Sequence, residues 1–130
     1  MKYVTGIGGI FFKANDPEKL GARYHEHLGL EVEEYGGVTF RESATSGASG
    51  PLRQAYTVWS PFSAETDYFA PSAKPFMINF RVNDLDGLLA KLRSEGVTVD
   101  DRTEKSEFGY FGWAMDPEGN RIELWEPPLA

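Results

Sequence analysis

The residue with the most evident chemistry lies in the final predicted strand, RIELW, where Glu123 interrupts an apolar run. Successive side chains of a strand point to opposite faces, so Glu123 and Trp125 share one face while Ile122 and Leu124 share the other. The apolar pair is typical of a surface that packs on a core. A carboxylate on the other face could accept a hydrogen bond from a ligand, pair with Arg81, or act as a general base if burial raised its pKa.

The chain offers few other groups for metal or nucleophilic chemistry. It contains no cysteine, which removes disulfides, thiol nucleophiles and thiolate metal ligands together. Its two histidines, His25 and His27, lie two residues apart in a predicted helix, where side chains diverge by about 200°. We therefore interpret both histidines as helix-surface residues.

Composition limits the partners and the location of the protein. A chain of 130 residues is large enough for one domain with its own core. The formal net charge of -7 and the pI near 4.8 oppose binding to a phosphate backbone, so nucleic acid is excluded as a partner. No segment approaches the roughly 18 apolar residues of a membrane span. The first residues alternate like a strand and lack a signal-cleavage site, so we predict a cytoplasmic protein without membrane contact.

The chain contains an internal repeat. FFKANDPEKL, Phe11 to Leu20, aligns with NFRVNDLDGL, Asn79 to Leu88, at an offset of 68 residues. A second pair aligns TVWSP, Thr57 to Pro61, with ELWEP, Glu123 to Pro127, at an offset of 66. Two similar halves of this length indicate a duplicated structural unit.

Each half has the same predicted order of elements. A strand runs into Asn-Asp, a good N-cap, and a helix follows that stops at Gly29 in the first half and at Gly96 in the second. Short strands come next: LEVEEY, GGVTFRE and AYTVW in the first half, and VTVDD, GYFGWAM and RIELW in the second. The sequence thus predicts a single α+β domain over residues 1–130, built of two βαβββ modules at 1–61 and 75–130.

Two segments do not fit the repeat. Ser43 to Pro51 is rich in small residues and is predicted to be a loop. The linker between the modules, residues 62–74, carries prolines and the aromatic residues Phe62, Tyr68 and Phe69. A linker of this length could cover a site, let one half pair with another chain, or present a partner surface.

The duplicated unit and the closing motif DPEGNRIELWEP resemble the vicinal oxygen chelate superfamily, which includes glyoxalases, bleomycin-resistance proteins and extradiol dioxygenases. The likeness covers nearly the whole chain. It implies that the two modules form curled mixed sheets around a cleft, with the helices packed outside.

The resemblance also implies four metal positions, one on the first and one on the last strand of each module. Here these positions align with Gly9, Thr57, Met77 and Glu123, of which only Glu123 is a good ligand. A catalytic ion normally takes at least three protein ligands, so we predict that this chain lacks the family metal. The alternative is one divalent ion that involves Glu123 and ligands from elsewhere.

The family register predicts which residues face the cleft. They combine aromatic walls with a few polar groups, which is typical of a small-molecule pocket for a flat, partly apolar ligand. The predicted ligand-binding residues are Phe11, Lys13, Thr57, Trp59, Met77, Asn79, Arg81, Glu123 and Trp125. Trp59 and Trp125 could instead belong to the core, and Arg81 and Lys13 to solvated strand ends.

Three functions remain open from the sequence. The first is a metal-free small-molecule-binding protein with the architecture of bleomycin-resistance proteins. The second is an enzyme, a lyase, isomerase or dioxygenase-like protein, that uses Glu123 as a base or metal ligand. The third is a protein that acts only through a partner surface in the linker. We also expect a homodimer, because superfamily members pair modules across chains and twofold dimers are the commonest oligomers.

Overall fold

The structure, a computed structural model, describes residues 3–42 and 53–129, and the loop predicted at Ser43 to Pro51 lies outside these ranges. The predicted α+β class and its two similar modules are confirmed. In chain order the elements are β1 (Val4–Ala14), α1 (Pro17–Leu28), β2 (Val38–Arg41), β3 (Tyr56–Ser63), β4 (Phe76–Val82), α2 (Leu85–Ser94), β5 (Glu104–Ser106), β6 (Gly109–Met115) and β7 (Arg121–Glu126).

Both helices begin and end where the sequence predicts. The carboxylate of Asp16 accepts a hydrogen bond from the backbone N of Lys19 at 3.0 Å, which caps α1. Asp84 caps α2 in the same way. Gly29 follows α1 with φ at 72°, and Gly96 lies just beyond α2 with φ at 80°. Glycine adopts this left-handed conformation without the strain that a Cβ would add.

All seven strands form one mixed sheet in the order β2-β3-β1-β4-β7-β6-β5. Within each module the first strand pairs in parallel with the last, β1 with β3 and β4 with β7. The two modules join where β1 pairs with β4 in antiparallel fashion. The modules therefore pair within one chain, which the sequence did not resolve.

Two predicted strands are absent from the described residues. Leu30 to Tyr35, LEVEEY, forms no strand; the backbone N of Glu33 bonds to the carbonyl of Gly37 and closes a turn instead. This segment carries three glutamates, a residue type that is depleted in strands. In the second module, VTVDD contributes only an isolated bridge at Val99, and the strand that pairs with β6 starts later, at Glu104.

The helices pack on the outer face of the curled sheet. Leu85, Leu88 and Leu89 of α2 pack against Val82 and Leu124 to form a buried apolar cluster. The leucines recur at helical spacing, so one face of α2 enters this cluster. Among the described residues, no helix is long and apolar enough to cross a membrane.

A second buried cluster lies on the inner face of the sheet. It consists of Phe69, Met77 and Trp113, and partly buried aromatic residues, Phe11, Phe62, Tyr68 and Phe111, pack against it. The sequence assigned three of these residues to the linker; Tyr68 and Phe69 do lie there, whereas Phe62 belongs to β3, which extends to Ser63. The linker thus folds over one part of the inner face and packs against it.

Candidate functional site

A cavity of about 630 Å³ opens on the inner face of the sheet, beside the cluster formed by the linker. Both modules contribute to it, since strands on either side of the β1–β4 junction supply lining residues. Its walls are aromatic. The aromatic lining residues are Phe11, Tyr35, Tyr56, Phe108, Phe111 and Trp125, and the polar ones are Glu33, Thr39, Arg41, Gln54, Asn79, Glu107 and Glu123.

Glu123 lies at the floor of this cavity and is only 1% exposed. Three side chains donate hydrogen bonds to its carboxylate. Oε1 accepts from the hydroxyl of Tyr68 and from Nε1 of Trp113, the latter at 2.9 Å, and Oε2 accepts from Nδ2 of Asn79 at 2.6 Å. A buried carboxylate with three neutral donors is well satisfied without a counter-ion in contact with it.

The surroundings of Glu123 shift its protonation equilibrium. Burial raises the pKa of Glu123 above its ordinary value, although the three hydrogen bonds and the charge of Arg121 act in the opposite direction. Burial and the nearby Glu123 carboxylate together raise the pKa of Tyr68. Tyr68 therefore keeps its proton near neutral pH and serves as the donor in its bond to Glu123.

Arg121 holds the linker against the sheet. Its Nη1 donates to the backbone carbonyl of Tyr68, and its Nη2 lies 3.4 Å from a carboxylate oxygen of Asp100. The guanidinium also lies 5.0 Å from the ring centroid of Trp113, a cation–π distance. Because Arg121 is 5% exposed, this contact is part of the folded interior and fixes Tyr68 over Glu123.

Four of the predicted site residues line the cavity together: Phe11, Asn79, Glu123 and Trp125. The rings of Phe111 and Trp125 stack at 6.1 Å with an interplanar angle of 11°. The ring of Tyr56 also packs against Trp125, with 4.8 Å between the ring centroids. These rings form a continuous aromatic wall.

Three other predicted site residues lie near the cavity without lining it. Met77 is fully buried in the cluster beneath the linker. Arg81 is 5% exposed and reaches towards the start of β3, where Nη1 donates to the carbonyl of Tyr56 at 3.3 Å. Lys13 lies near the far end of β1, beside Phe62 in the strand register.

The predicted placement of Thr57 and Trp59 on the cleft side is wrong. Thr57 donates through Oγ1 to the backbone carbonyl of Ile7 at 2.8 Å. Trp59 packs on the outer face, 4.6 Å from the ring of Tyr24 in α1. Their neighbours Tyr56 and Val58 line the cavity instead.

The sheet register explains this correction. Asn79 pairs with Glu123, whereas Phe11, its counterpart in the repeat, pairs with Ser60. The spatial counterpart of Glu123 is thus Ser60, at an offset of 63 residues, and the sequence alignment at 66 differs from it by three. Because side chains alternate along a strand, an odd shift moves every residue to the opposite face.

The glycines of the first strand make room for the site. The pairing of β1 with β4 is irregular between Ile7 and Gly9, which marks a bulge at Gly8. A Cβ at Gly8 would overlap Oδ1 of Asn79 and lie 2.8 Å from Cε3 of Trp125. Glycine here permits both the irregular pairing of β1 and the close approach of the Asn79 and Trp125 side chains.

Sequence reasoning missed two of the residues that surround Glu123, namely Trp113 and Arg121, and assigned Tyr68 only to the linker. Trp113 had a local signal, because Phe111 and Trp113 alternate along a predicted strand and must share one face. Tyr68 and Arg121 had none. They meet across 53 residues of chain, and nothing in their local patterns indicates the contact.

The residues at the family's metal positions do not fit an ion. Gly9 has no side chain, Met77 is a thioether in an apolar cluster, and both oxygens of Glu123 already accept hydrogen bonds from protein donors. Residues 3–42 and 53–129 contain no group of three or more His, Asp or Glu side chains that could hold a metal. Hard divalent ions need such oxygen and nitrogen ligands.

The fold and the site together define a half-barrel of two paired modules with a cavity lined by aromatic residues on its inner face. The chain belongs to the glyoxalase-like domain family, whose model matches residues 9–125. This places it in the vicinal oxygen chelate superfamily, as the sequence motifs predicted. No curated protein sequence matches the chain significantly.

Several solved structures share the fold. Methylmalonyl-CoA epimerase from Mycobacterium tuberculosis is 21% identical, with a TM-score of 0.59 over 95% of this chain and 89% of that one. A variant of the Streptomyces coelicolor epimerase, in complex with 2-nitronate-propionyl-CoA, is 20% identical, with a TM-score of 0.60 over 95% and 98%. A glyoxalase/bleomycin resistance protein/dioxygenase superfamily member from Vibrio splendidus 12B01 is 9% identical, with a TM-score of 0.55 over 92% and 97%. At these identities the likeness establishes the fold alone.

Proposed function

We propose that this protein binds a small, flat, partly aromatic molecule in the inner-face cavity and does so without a metal ion. One observation carries the proposal. Where superfamily enzymes hold an ion, Glu123 accepts hydrogen bonds from Tyr68, Asn79 and Trp113, at the floor of a cavity walled by aromatic rings. The site thus has the aromatic walls and few polar groups that are typical of a small-molecule pocket. Its described residues lack the side chains that would bind a metal ion.

The dimensions of the cavity support a ligand of modest size. A volume of about 630 Å³ lies within the ordinary range of small-molecule sites. The stacked rings of Phe111 and Trp125 offer a flat apolar surface, and Tyr56 extends it towards β2. Such walls favour aromatic or apolar molecules through stacking and burial of their surface.

Titration calorimetry with a panel of aromatic fragments tests the binding function. The variant Phe111→Ala removes part of the aromatic wall and should weaken every fragment that binds wild-type protein. Phe40→Ala is the matched control, because Phe40 is 45% exposed and lies between Thr39 and Arg41 on the opposite face of β2. Equal loss of affinity in both variants would argue against this cavity as the binding site.

Metal content tests the other half of the proposal. Protein purified without chelator, then offered zinc, nickel, manganese and iron separately, should retain well below one ion per chain by elemental mass spectrometry. Retention of one ion that is lost in Glu123→Ala would show that ligands come from elsewhere, and would favour an enzyme with a metal centre.

One observation favours a second function, an enzyme that uses Glu123 as a base. Burial raises the pKa of this carboxylate towards the range in which a general base works. The solved relatives include epimerases, so lyase and isomerase substrates would be screened first. Glu123→Gln should then abolish turnover while the circular dichroism spectrum stays unchanged; unaltered turnover would exclude this role.

We further propose that the protein is a homodimer in the cytoplasm. The sequence is the source of this expectation, since twofold dimers are the commonest oligomers. Light scattering at micromolar concentration should give about twice the mass of one chain, 14.5 kDa. A monomer mass would refute the dimer and leave the intrachain cavity intact.

A further inference from the structure

Two acceptor atoms at the cavity floor have hydrogen-bonding capacity that no described residue uses. Oε2 of Glu123 accepts one bond, from Asn79, and a carboxylate oxygen can accept a second. Asn79 is only 2% exposed, and its buried Oδ1 has no hydrogen-bond partner among the described residues. Buried acceptors of this kind are expected to have a partner, so an unused one points to a missing donor.

The orientation of the Asn79 amide follows from its neighbour. A carboxylate accepts hydrogen bonds, so the Asn79 group that faces Glu123 must be the NH₂ donor and Oδ1 must point away from Glu123. In that direction Oδ1 lies beside Gly8, which itself lines the cavity. The floor thus holds two unused acceptor positions, on two residues that pair in the sheet.

Negative charges outnumber positive ones among the described residues that line the cavity. Within residues 3–42 and 53–129, Glu33, Glu107 and Glu123 line the cavity, against one guanidinium, that of Arg41. Arg41 lies over the ring of Tyr56, 5.5 Å from its centroid. The lining is therefore net negative, as is the whole chain, at -7. A net negative lining favours a cation over an anion of the same shape.

The aromatic walls of the cavity also favour a cation. A cation gains from the faces of Trp and Tyr rings, and more so where water is excluded. The Trp125 indole Nε1 already donates to the carbonyl of Phe108 at 2.7 Å, so this ring lines the cavity without a free indole donor for a ligand. The cavity therefore combines acceptors at its floor, carboxylates in its lining and aromatic rings at its sides. All three features favour a cation that donates hydrogen bonds.

We propose that the ligand is an aromatic molecule with a positively charged, N–H-donating group, such as an aryl amidinium or a protonated aryl-alkyl amine, and that this group bonds to Glu123 and Asn79. The inference rests on the proposed binding function and deepens it. A charge-assisted N–H···O bond is shorter and stronger than a neutral one, so the carboxylate at the floor determines which end of the ligand enters first.

Four planar probes of nearly equal size separate the cases. Benzamidine is a cationic donor, benzamide is neutral, benzoate is an anionic acceptor, and toluene has no polar group. Binding to wild-type protein is measured by calorimetry at neutral pH and at low and high salt. We expect benzamidine to bind about tenfold or more tightly than benzoate, with benzamide between them, because one charge-assisted hydrogen bond accounts for about a factor of ten.

Glu123→Gln should reduce benzamidine affinity about tenfold and leave toluene binding unchanged. The variant can keep a hydrogen bond between residues 79 and 123. If the Asn79 side-chain amide rotates by 180°, its Oδ1 can accept from the N–H of the new Gln amide. If the variant fails to fold, the wild-type series decides, together with two-dimensional NMR of the Asn79 side-chain NH₂, which benzamidine should shift and benzoate should not.

Benzoate binding as tightly as benzamidine would overturn this inference and would point to Arg41 as the recognition group, while the binding function would stand. Toluene binding as tightly as benzamidine would also overturn it. If none of the four probes binds at millimolar concentration, both the inference and the proposed binding function fail.

Discussion

The hydroxyl of Tyr68, in the linker, donates a hydrogen bond to Oε1 of Glu123 on the last strand, 55 residues further along the chain. This contact links the segment between the modules to the carboxylate at the centre of the site. Arg121 helps to hold Tyr68 in place, because its Nη1 donates to the backbone carbonyl of Tyr68. The linker is therefore a structural part of the site as well as a connection between two modules.

Removing this hydroxyl should destabilise the fold. Tyr68→Phe keeps the ring but leaves the buried Glu123 with one donor fewer, and the loss of a hydrogen bond to a charged buried group costs about 1–3 kcal/mol. The free energy of unfolding from urea denaturation measures it. Tyr110→Phe is the control, because that hydroxyl donates to Asp86 at the exposed surface, and its loss should change stability by less than about 0.5 kcal/mol. Equal effects of the two variants would mean that the Tyr68 contact contributes little.

Stability should depend on pH through Glu123. Burial raises its pKa in the folded state, so the folded protein holds this proton where the unfolded chain has already lost it. The contribution to stability is therefore complete below the ordinary carboxyl value, 4.5, and is lost as the pH rises through the folded pKa.

The difference in unfolding free energy between wild type and Glu123→Gln measures this contribution, from about pH 4 to about pH 8. The unfolding free energy of wild type, relative to that of the variant, should decrease as the pH rises and then become constant. A difference that stays constant over this range would mean that Glu123 has the same pKa in both states.

Of the three tryptophans, Trp59 and Trp125 lie on opposite faces of the sheet and should report ligand binding differently. Trp125 lines the cavity, whereas Trp59 packs against Tyr24 under α1. We expect benzamidine to change the fluorescence of wild-type protein and of Trp59→Phe alike, and to cause a smaller change in Trp125→Phe, where Trp113 still reports from its bond to Glu123. A signal lost in Trp59→Phe would place the ligand on the outer face.

Two glycines should respond to alanine in opposite directions. At Gly8 a Cβ would overlap Asn79 and Trp125, and overpacking of this kind costs about 1–3 kcal/mol. At Gly21, inside α1, a Cβ would lie 3.6 Å from Val32, an ordinary contact, and helical Gly→Ala gains about 0.5–1 kcal/mol. Thermal unfolding of the two variants measures both effects. A neutral Gly8→Ala would show that the site tolerates a side chain at the bulge.

The sequence by itself determined the features that depend on local pattern. The repeat, the Asn-Asp caps and the glycine stops predicted two βαβββ modules, and the alternation in RIELW placed Glu123 and Trp125 on one face. Apart from the strand predicted at Leu30 to Tyr35, these features are found in the structure. They could be predicted because capping, turn chemistry and alternation depend on residues that are close together in the sequence.

Only the tertiary structure decided what surrounds Glu123. The register of β3 turned Tyr56 and Val58 towards the cavity and Thr57 and Trp59 away from it, since a shift of an odd number of residues leaves the local pattern of an aromatic strand equally plausible. Likewise, nothing near Tyr68 indicates that it meets Glu123. That contact is decided by how the linker packs on the inner face, where burial of its aromatic rings offsets the entropy lost on ordering it.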